Sequence, residues 1–171
     1  MYKFSRYSLK KLYTCHKDIR TILLEAIKFY DISVLEGLRS DERQMELYEQ
    51  GRSKLDGIHK KSKHQAHIVD SKDAGIDLDT GRILVNENGE PIASLAVDIM
   101  PYKKGYNAFS GEYKDNARFY YMQGIIRGLS ERLFEEGLIT HKLRFGLDWD
   151  MDDIFSDQTF DDLPHFELVI K

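Results

Sequence analysis

Residues 161–168, DDLPHFEL, place His165 directly after a proline and three residues after Asp162. Two candidate partners lie upstream, His64 in the polar loop KKSKHQ and Asp98 in the stretch SLAVDIM. Two imidazoles and one carboxylate, with a fourth position left to water, form the ligand set of a catalytic zinc site. Zinc lowers the pKa of its water and polarises a substrate carbonyl, which is the chemistry that amide hydrolysis needs. Asp162, on the loop that leads to His165, is the candidate general base.

Strand alternation indicates which side chains share a face. In residues 94–100 a period of two separates Asp98 from the apolar side chains Leu95, Val97 and Ile99. In residues 165–171 the same period puts His165 with Glu167, opposite Phe166, Leu168 and Ile170. Each stretch is therefore predicted to have a core face and a second face that carries a ligand-type residue. A mid-strand carboxylate is unfavourable unless it is paired, hydrogen-bonded or bound to a cation. Spacing alone leaves open a core histidine and a hydrogen-bonded structural carboxylate.

The elements that would position these residues follow from periodicity, caps and turns. An amphipathic helix is predicted within residues 16–31, and a second begins after the N-cap Ser40 and ends at Gly51. A long helix is predicted from about residue 115 to 136, with Gly137 at its end. Strands are predicted at 32–39, 94–100, 142–149 and 165–171, and a hairpin turns at Asn88-Gly89. Helices and strands interleave without a βαβ rhythm, so we predict an α+β fold with helices packed on a small, mostly antiparallel sheet.

The composition excludes several other classes of protein. With 171 residues, 42% hydrophobic and 32% charged, the chain has the length and composition of one globular domain. The net charge of −4 and the lack of a basic cluster argue against nucleic-acid binding. Cys15 is the single cysteine, so no internal disulfide forms and a packing role is expected. The chain lacks a signal-peptide pattern and a long apolar window, so we expect synthesis in the cytoplasm and no membrane insertion.

Four stretches occur in a characteristic order: EGLRSDERQMELYEQGRSK, SKHQ, SLAVDIMPY and DLPHFEL. Together they resemble the zinc peptidases that include D-Ala-D-Ala carboxypeptidases, dipeptidases and phage L-alanyl-D-glutamate endopeptidases. The likeness is greatest to small phage endolysins and covers residues from about 8 to 169. It implies a D-Ala-D-Ala carboxypeptidase/hedgehog-like fold, a Zn²⁺ cofactor and bacterial peptidoglycan as the partner of a monomeric enzyme.

The resemblance also implies roles for individual residues. The zinc ligands would be His64, Asp98 and His165. Asp162 would deprotonate the attacking water and later protonate the leaving amine. Arg39 would steady the substrate carbonyl oxygen or carboxylate, because a guanidinium keeps its charge and donates several hydrogen bonds; its alternative is a surface ion pair. Two further motif positions, with roles in substrate contact or scaffolding, are Ser62 and Gln44.

One departure from the family pattern concerns residues 65–93. Many relatives have the Ser-x-His and Ala-x-Asp motifs almost adjacent, whereas here this segment intervenes. We interpret the chain as a single peptidase domain, residues 1–171, with an inserted hairpin at about 65–93 that acts as a flap near the cleft. Rival metal ligands in the insert are Asp70, Asp73 and Asp77, but Asp98 is preferred because its strand matches the family. His59 and His67 are interpreted as surface residues, with His67 nearer the metal.

An acidic run in residues 148–157 offers five aspartates. It faintly resembles a calcium loop, but it lacks the turn glycine and the closing glutamate, so Ca²⁺ remains the weaker alternative to a solvated loop. Trp149 and Phe145 are assigned to the core, and Asp148 to the opposite face, where it would line the site.

The predicted function is a zinc-dependent peptidoglycan hydrolase, a phage endolysin that cleaves the L-Ala-D-Glu bond of the stem peptide for host lysis. It would accumulate in the host cytoplasm and act on the wall in the periplasm after release, with a Gram-negative host expected. A D,D- or L,D-carboxypeptidase of the same family remains an alternative. A non-catalytic wall-binding or virion structural module is the alternative from another class.

Overall fold

The computed structural model describes residues 1–169, so Ile170 and Lys171 of the predicted last strand lie outside the described residues. The helices are α1 (Arg6–Leu12), α2 (Lys17–Ala26), α3 (Asp41–Glu49) and α4 (Tyr113–Glu135). The strands are β1 (Ile32–Glu36), β2 (His67–Ile68), β3 (Ile92–Ala93), β4 (Ala96–Pro101), β5 (Leu143–Phe145) and β6 (His165–Leu168). The predicted α+β class is confirmed.

Four strands form one antiparallel sheet in the order β1-β4-β6-β5, and β2 pairs with β3 in a separate two-stranded sheet. The two central strands, β4 and β6, bring two candidate ligands together, because they pair with Asp98 directly opposite His165. Directly paired residues of antiparallel strands point to the same face, so both side chains leave the sheet on one side.

The other face of the sheet is covered by helices. α4 packs against α2 and against β4 and β5, while α1 packs against β1. Alternate side chains of the strands form the sheet side of the core, and the apolar faces of the helices form the other side. The buried side chains include Leu12, Ile19, Ile22 and Leu23 from the first two helices, Val97, Ile99, Phe166 and Leu168 from the sheet, and Phe119, Met122 and Ile126 from α4.

Helices α3 and α4 have the capping residues that the sequence predicts. The Ser40 side chain accepts a hydrogen bond from the Arg43 N–H and begins α3, as predicted. Gly51 and Gly137 follow their helices with φ of +68° and +69°, which a glycine adopts at little cost. Helix α1 was not predicted. The Ser5 side chain caps it by accepting from the Ser8 N–H.

Two strand predictions need correction. The strand at 142–149 ends at Phe145, because the chain turns through residues 146–148. The Asn88-Gly89 turn is present, with Gly89 donating to the Asn86 carbonyl, but the flanking strands are reduced to isolated bridges. Only two-residue strands, β2 and β3, close the base of this segment.

The insert at 65–93 lies against the N-terminal helices, and none of its residues lines the cleft that holds His64. The Ile76 N–H donates to the Tyr13 carbonyl, and the Lys17 N–H donates to the Asp73 carbonyl. The Arg20 guanidinium donates to the Ala74 carbonyl. These bonds attach the insert to the end of α1 and to the first half of α2. Among residues 1–169, no helix is long and apolar enough to cross a membrane.

Candidate active site

The three predicted ligands come from separate parts of the chain and meet on the open face of the sheet. His64 lies in the loop before β2 and is 2% exposed. Asp98 lies in the middle of β4, and His165 begins β6. Strand pairing brings the last two together, and the loop brings the first. The Arg39 N–H donates to the His64 carbonyl and holds that loop against the segment that follows β1.

Three atoms of these side chains form a nearly equilateral triangle. Asp98 Oδ1 lies 3.1 Å from His64 Nε2 and 3.1 Å from His165 Nδ1. The two nitrogens are 3.3 Å apart. Zinc bonds of about 2.0–2.1 Å set tetrahedral ligand separations of about 3.3 Å. The donor atoms and their spacing therefore fit a zinc ion.

Each imidazole is fixed by an acceptor on its far side. His64 Nδ1 lies 2.9 Å from the Gly37 carbonyl oxygen, and His165 Nε2 lies 3.0 Å from Glu167 Oε2. A carbonyl or a carboxylate only accepts, so the ring nitrogen facing it carries the proton. The opposite nitrogens, which belong to the triangle, would then face a bound metal ion with their lone pairs once they have released any proton they share with Asp98. Gly37 must be glycine, since a Cβ there would lie 2.3 Å from the Lys11 carbonyl oxygen.

The electrostatics of the triangle favour an ionised aspartate. Burial by itself would raise the pKa of Asp98, but the charge of His64 and hydrogen bonds from both imidazoles outweigh burial and lower it well below its usual range. Burial also opposes the charged form of His165, yet its hydrogen bonds to Asp98 and Glu167 raise its pKa to about 9. Asp98 therefore stays ionised and offers its negative charge to a cation bound within the triangle.

Asp162 lies on the loop before β6 and lines the same cleft. Burial, followed by the nearby charge of Asp98, raises the pKa of Asp162 above the usual aspartate range. Its backbone is held by Gly146, whose carbonyl accepts the Asp162 N–H at 2.8 Å. Gly146 was not singled out from the sequence. A Cβ at this position would lie 2.2 Å from the Asp162 carbonyl oxygen, so the close approach requires glycine.

Arg39 also lines the cleft, with its Nη2 3.7 Å from Asp98 Oδ2. Its guanidinium is paired with Glu36, and its Nη1 donates to Gln44 Oε1 at 2.7 Å. Gln44 is 0% exposed and does not line the cleft. Its amide also donates to the Leu55 carbonyl at 2.6 Å. Gln44 therefore has the environment of a scaffold that orients Arg39, and substrate contact does not fit its burial.

Ser62 is buried and lines the cleft. Its Oγ accepts the His64 N–H at 3.2 Å, so it shapes the ligand loop from within. Gln65, which sequence reasoning missed, completes this loop. Its Oε1 accepts the Ser62 N–H at 2.8 Å and its Nε2 donates to Asp41 Oδ1 at 2.6 Å. Gln65 could have been singled out from the sequence, because it directly follows the candidate ligand histidine in SKHQ.

The rival ligands lie elsewhere. Asp73 approaches His16, with 3.9 Å between its Oδ2 and His16 Nε2, and His67 donates toward the Ser62 carbonyl outside the triangle. His16, Asp18 and His141 also bring potential ligand atoms within 4.8 Å of one another. That group is already satisfied as a hydrogen-bond network. One Asp18 oxygen accepts from Thr140 and His141, while His16 Nδ1 accepts the Asp18 N–H.

The acidic run contains a third group that could hold a metal, formed by Asp148, Asp150 and Asp152. Asp148 is 3% exposed and accepts the N–H groups of Asp152 and Asp153. It also lies 3.8 Å from an Arg127 nitrogen. It does not line the cleft of the His64 site, so its predicted lining role is wrong.

The cleft around the triangle has a volume of about 910 Å³ and is open on one side. Trp149 lines it, with its ring centroid 5.4 Å from that of His165, and corrects the core assignment made from the sequence. Its indole N–H donates to the Phe160 carbonyl at 2.8 Å, which holds the ring as one wall. Phe145 is buried and packs against Phe166, in agreement with its core assignment.

An α+β fold that brings together a His/Asp/His triangle able to hold a metal ion, a neighbouring acid and an arginine in one open cleft is the arrangement of a hydrolase. The profile of the family described as phage L-alanyl-D-glutamate peptidase matches residues 1–169. The chain belongs to this family, and the resemblance noted in the sequence is confirmed. It is thus a peptidase of the phage endolysin type that acts on peptidoglycan.

A solved structure that matches is the Serratia marcescens L-Ala D-Glu endopeptidase ChiX, with 22% sequence identity and a TM-score of 0.56. The alignment covers 98% of this chain and 90% of that one. At this identity the likeness concerns the fold. No match was found among the curated proteins.

Proposed function

We propose that the chain is a zinc-dependent endolysin that cleaves the L-Ala-D-Glu bond of the peptidoglycan stem peptide, with His64, Asp98 and His165 as the zinc ligands. The observation that carries the proposal is the triangle of ligand atoms 3.1–3.3 Å apart, with Asp162 in the same cleft. A zinc ion bound there would supply a lowered pKa for water and polarisation of the scissile carbonyl.

Asp162 is the proton carrier of the proposed reaction. Its carboxylate takes a proton from the attacking water and later delivers it to the amine nitrogen that leaves. A raised pKa suits both tasks, because the group must release the proton as readily as it accepts it.

Arg39 supplies positive charge where the scissile carbonyl oxygen becomes negative. The pairing with Glu36 and the hydrogen bond to Gln44 hold the guanidinium in one orientation, so little reorganisation is needed during the reaction. Ser62 shapes the loop of His64, and Gln44 acts through Arg39 as a positioning residue.

The setting of this activity is host lysis. We propose that the enzyme accumulates in the host cytoplasm and reaches the wall in the periplasm once the inner membrane has been opened. The absence of a spanning helix from residues 1–169 is compatible with this route.

Mass spectrometry of purified peptidoglycan after digestion tests the bond. We expect muramyl fragments that end in L-Ala, together with peptides that begin with D-Glu. Loss of a terminal D-Ala without these fragments would instead identify a carboxypeptidase.

Metal dependence is tested on the same assay. Chelation should abolish cleavage and Zn²⁺ should restore it. His64→Ala should lose both zinc and activity, whereas His59→Ala serves as the control because that side chain is 85% exposed and lies outside the cleft. Asp162→Asn should keep zinc and lose about 10²–10⁴-fold in kcat. A His64→Ala protein that cleaves peptidoglycan as well as the unmodified chain would refute the proposal.

A further inference from the structure

The cleft around the triangle carries an excess of positive charge, although the chain has a net charge of −4. Seven Lys and Arg side chains line the cleft, against four carboxylates. Three of the seven are paired with acidic partners: Arg39 with Glu36, Arg43 with Glu46, and Arg144 with Glu167. The other four are Arg52, Lys54, Lys61 and Lys63.

These four cations have no carboxylate partner within residues 1–169. Lys54 lies over the Phe160 ring at 5.2 Å from the centroid, and the other three make no side-chain hydrogen bond or ion pair in that range. Lys63 is the most buried of them, because it is half-buried while the others are exposed. A partly desolvated cation without a counter-charge is unfavourable, so a ligand that brings an anion to it would be bound well.

The position of Lys63 relates it to the reacting centre. It directly precedes the ligand His64, and its carbonyl accepts the Leu95 N–H at 2.8 Å, which fixes its backbone at the entry to β4. Glu167 lines the same cleft as Lys63. Both Glu167 oxygens are already engaged, one by Arg144 and one by His165. The Lys63 ammonium is therefore free to bind a group of the substrate.

The substrate of the proposed function has such a group. A D-glutamyl residue carries two carboxyl groups, and continuation of the peptide uses only one of them. A free carboxylate therefore remains on the residue whose amine leaves, a few bonds from the scissile amide. We propose that Lys63, with Lys61 two residues before it, forms a subsite for this carboxylate. The inference rests on the proposed function and adds the group by which the leaving residue is recognised. Arg52 and Lys54 extend the positive field and attract other carboxylates of the stem peptide.

Three synthetic peptides test the subsite on the zinc-loaded full chain. The first carries the free carboxylate of the D-glutamyl residue, the second carries a carboxamide there, and the third carries a carboxamide only at its C-terminus. We expect the second peptide to lose about tenfold or more in kcat/KM, chiefly through KM, because a charge-assisted hydrogen bond is lost. The third should be cleaved like the first.

Variants assign the preference to the lysine. Lys63→Met keeps the apolar stem and should cleave the first and second peptides alike, whereas Lys63→Arg should retain most of the preference. Lys72→Met is the matched control, because Lys72 is exposed in the insert and does not line the cleft. Zinc content and circular dichroism check that each variant is folded and loaded.

The outcomes separate this inference from the proposed function. Equal kcat/KM for the first and second peptides with the unmodified enzyme would overturn the subsite and leave the function intact. So would a preference that persists in Lys63→Met, or an effect confined to the third peptide. Failure to cleave any of the three at the L-Ala-D-Glu bond would overturn the proposed function itself and this subsite with it.

Discussion

His165 and Glu167 lie two residues apart on β6, and His165 Nε2 is 3.0 Å from Glu167 Oε2. Arg144 binds the other oxygen of the same carboxylate. Burial opposes the charge of Glu167, but its hydrogen bonds from His165 and Arg144 lower its pKa to about 2. The carboxylate therefore stays ionised and holds the ring so that Nδ1 faces the other ligands. The alternation of β6 makes this possible, because residues i and i+2 share a face.

Glu167→Gln should weaken zinc binding by about 10–100-fold, since a carboxylate behind a ligating histidine orients the ring and raises its basicity. Competition with a chromophoric chelator measures this affinity directly. Glu136→Gln is the control, because Glu136 is an exposed residue paired with Arg132 outside the cleft. Unchanged zinc affinity in Glu167→Gln would show that the hydrogen bond does not support the metal site.

Gly146→Ala should lower kcat while it leaves zinc binding intact. The added Cβ would lie 2.2 Å from the Asp162 carbonyl oxygen, so the loop that carries the proposed base must move away. We expect a loss of about 10²-fold, since small displacements of catalytic groups are costly. Gly128→Ala is the matched control, because Gly128 lies within α4 with no atom within 4 Å of an added Cβ. It should keep full activity and gain about 0.5–1 kcal/mol in unfolding free energy. Equal kcat in both variants would contradict the role of Gly146.

Cys15 should resist thiol reagents in the folded protein. Its side chain is 0% exposed, and burial raises the pKa of the thiol to about 12. Both access and thiolate formation are therefore suppressed. Labelling with a disulfide reagent at pH 8 should be slow in native buffer and complete in denaturant. Rapid stoichiometric labelling of the native chain would mean that the helix α1–α2 junction opens readily.

The stability of the fold should depend on pH through His16. Its Nδ1 accepts the Asp18 N–H at the start of α2, and burial lowers the pKa of His16 despite the charges of Asp18 and Asp73. The unfolded chain therefore binds a proton near pH 6.5 that the folded chain does not. The stability due to neutral His16 is present above that pH and is lost as the pH falls below it.

The test is a comparison of urea unfolding at pH 7.5 and pH 5.5 for the unmodified chain and His16→Asn. Asparagine retains an oxygen that can cap α2 but does not titrate. The drop in unfolding free energy between the two pH values should be smaller in the variant, and groups common to both proteins cancel in the difference. Identical drops would exclude His16 as the responsible group.

Strand alternation predicted which face carries Asp98 and His165, because a period of two is a local property of the chain. It could not predict that these residues pair directly, since register depends on contacts between strands 67 residues apart in sequence. The same rule failed at Trp149. Alternation does not continue through Gly146, because the chain turns there to approach Asp162, and the indole lines the cleft.

The insert illustrates a second limit. Its polar, turn-rich sequence gives the Asn88-Gly89 turn, but does not reveal which surface the segment covers. That surface is determined by main-chain hydrogen bonds to Tyr13 and Lys17, which any sequence could make. Gln44 shows the same limit at the site, because its burial follows from how α3 packs on the loop at residues 53–55.

The pairing of Asp98 with His165 would also link metal binding to folding. A slip of one residue between β4 and β6 would turn one of these side chains to the opposite face, and the three donor atoms could no longer meet. A metal ion would therefore bind only the chain whose strands are correctly aligned. By mass action it would stabilise that alignment by about 2.7 kcal/mol when its free concentration is about 100 times the dissociation constant. Misaligned forms would gain nothing, so a metal ion bound at this site would also select the active form of the enzyme during refolding.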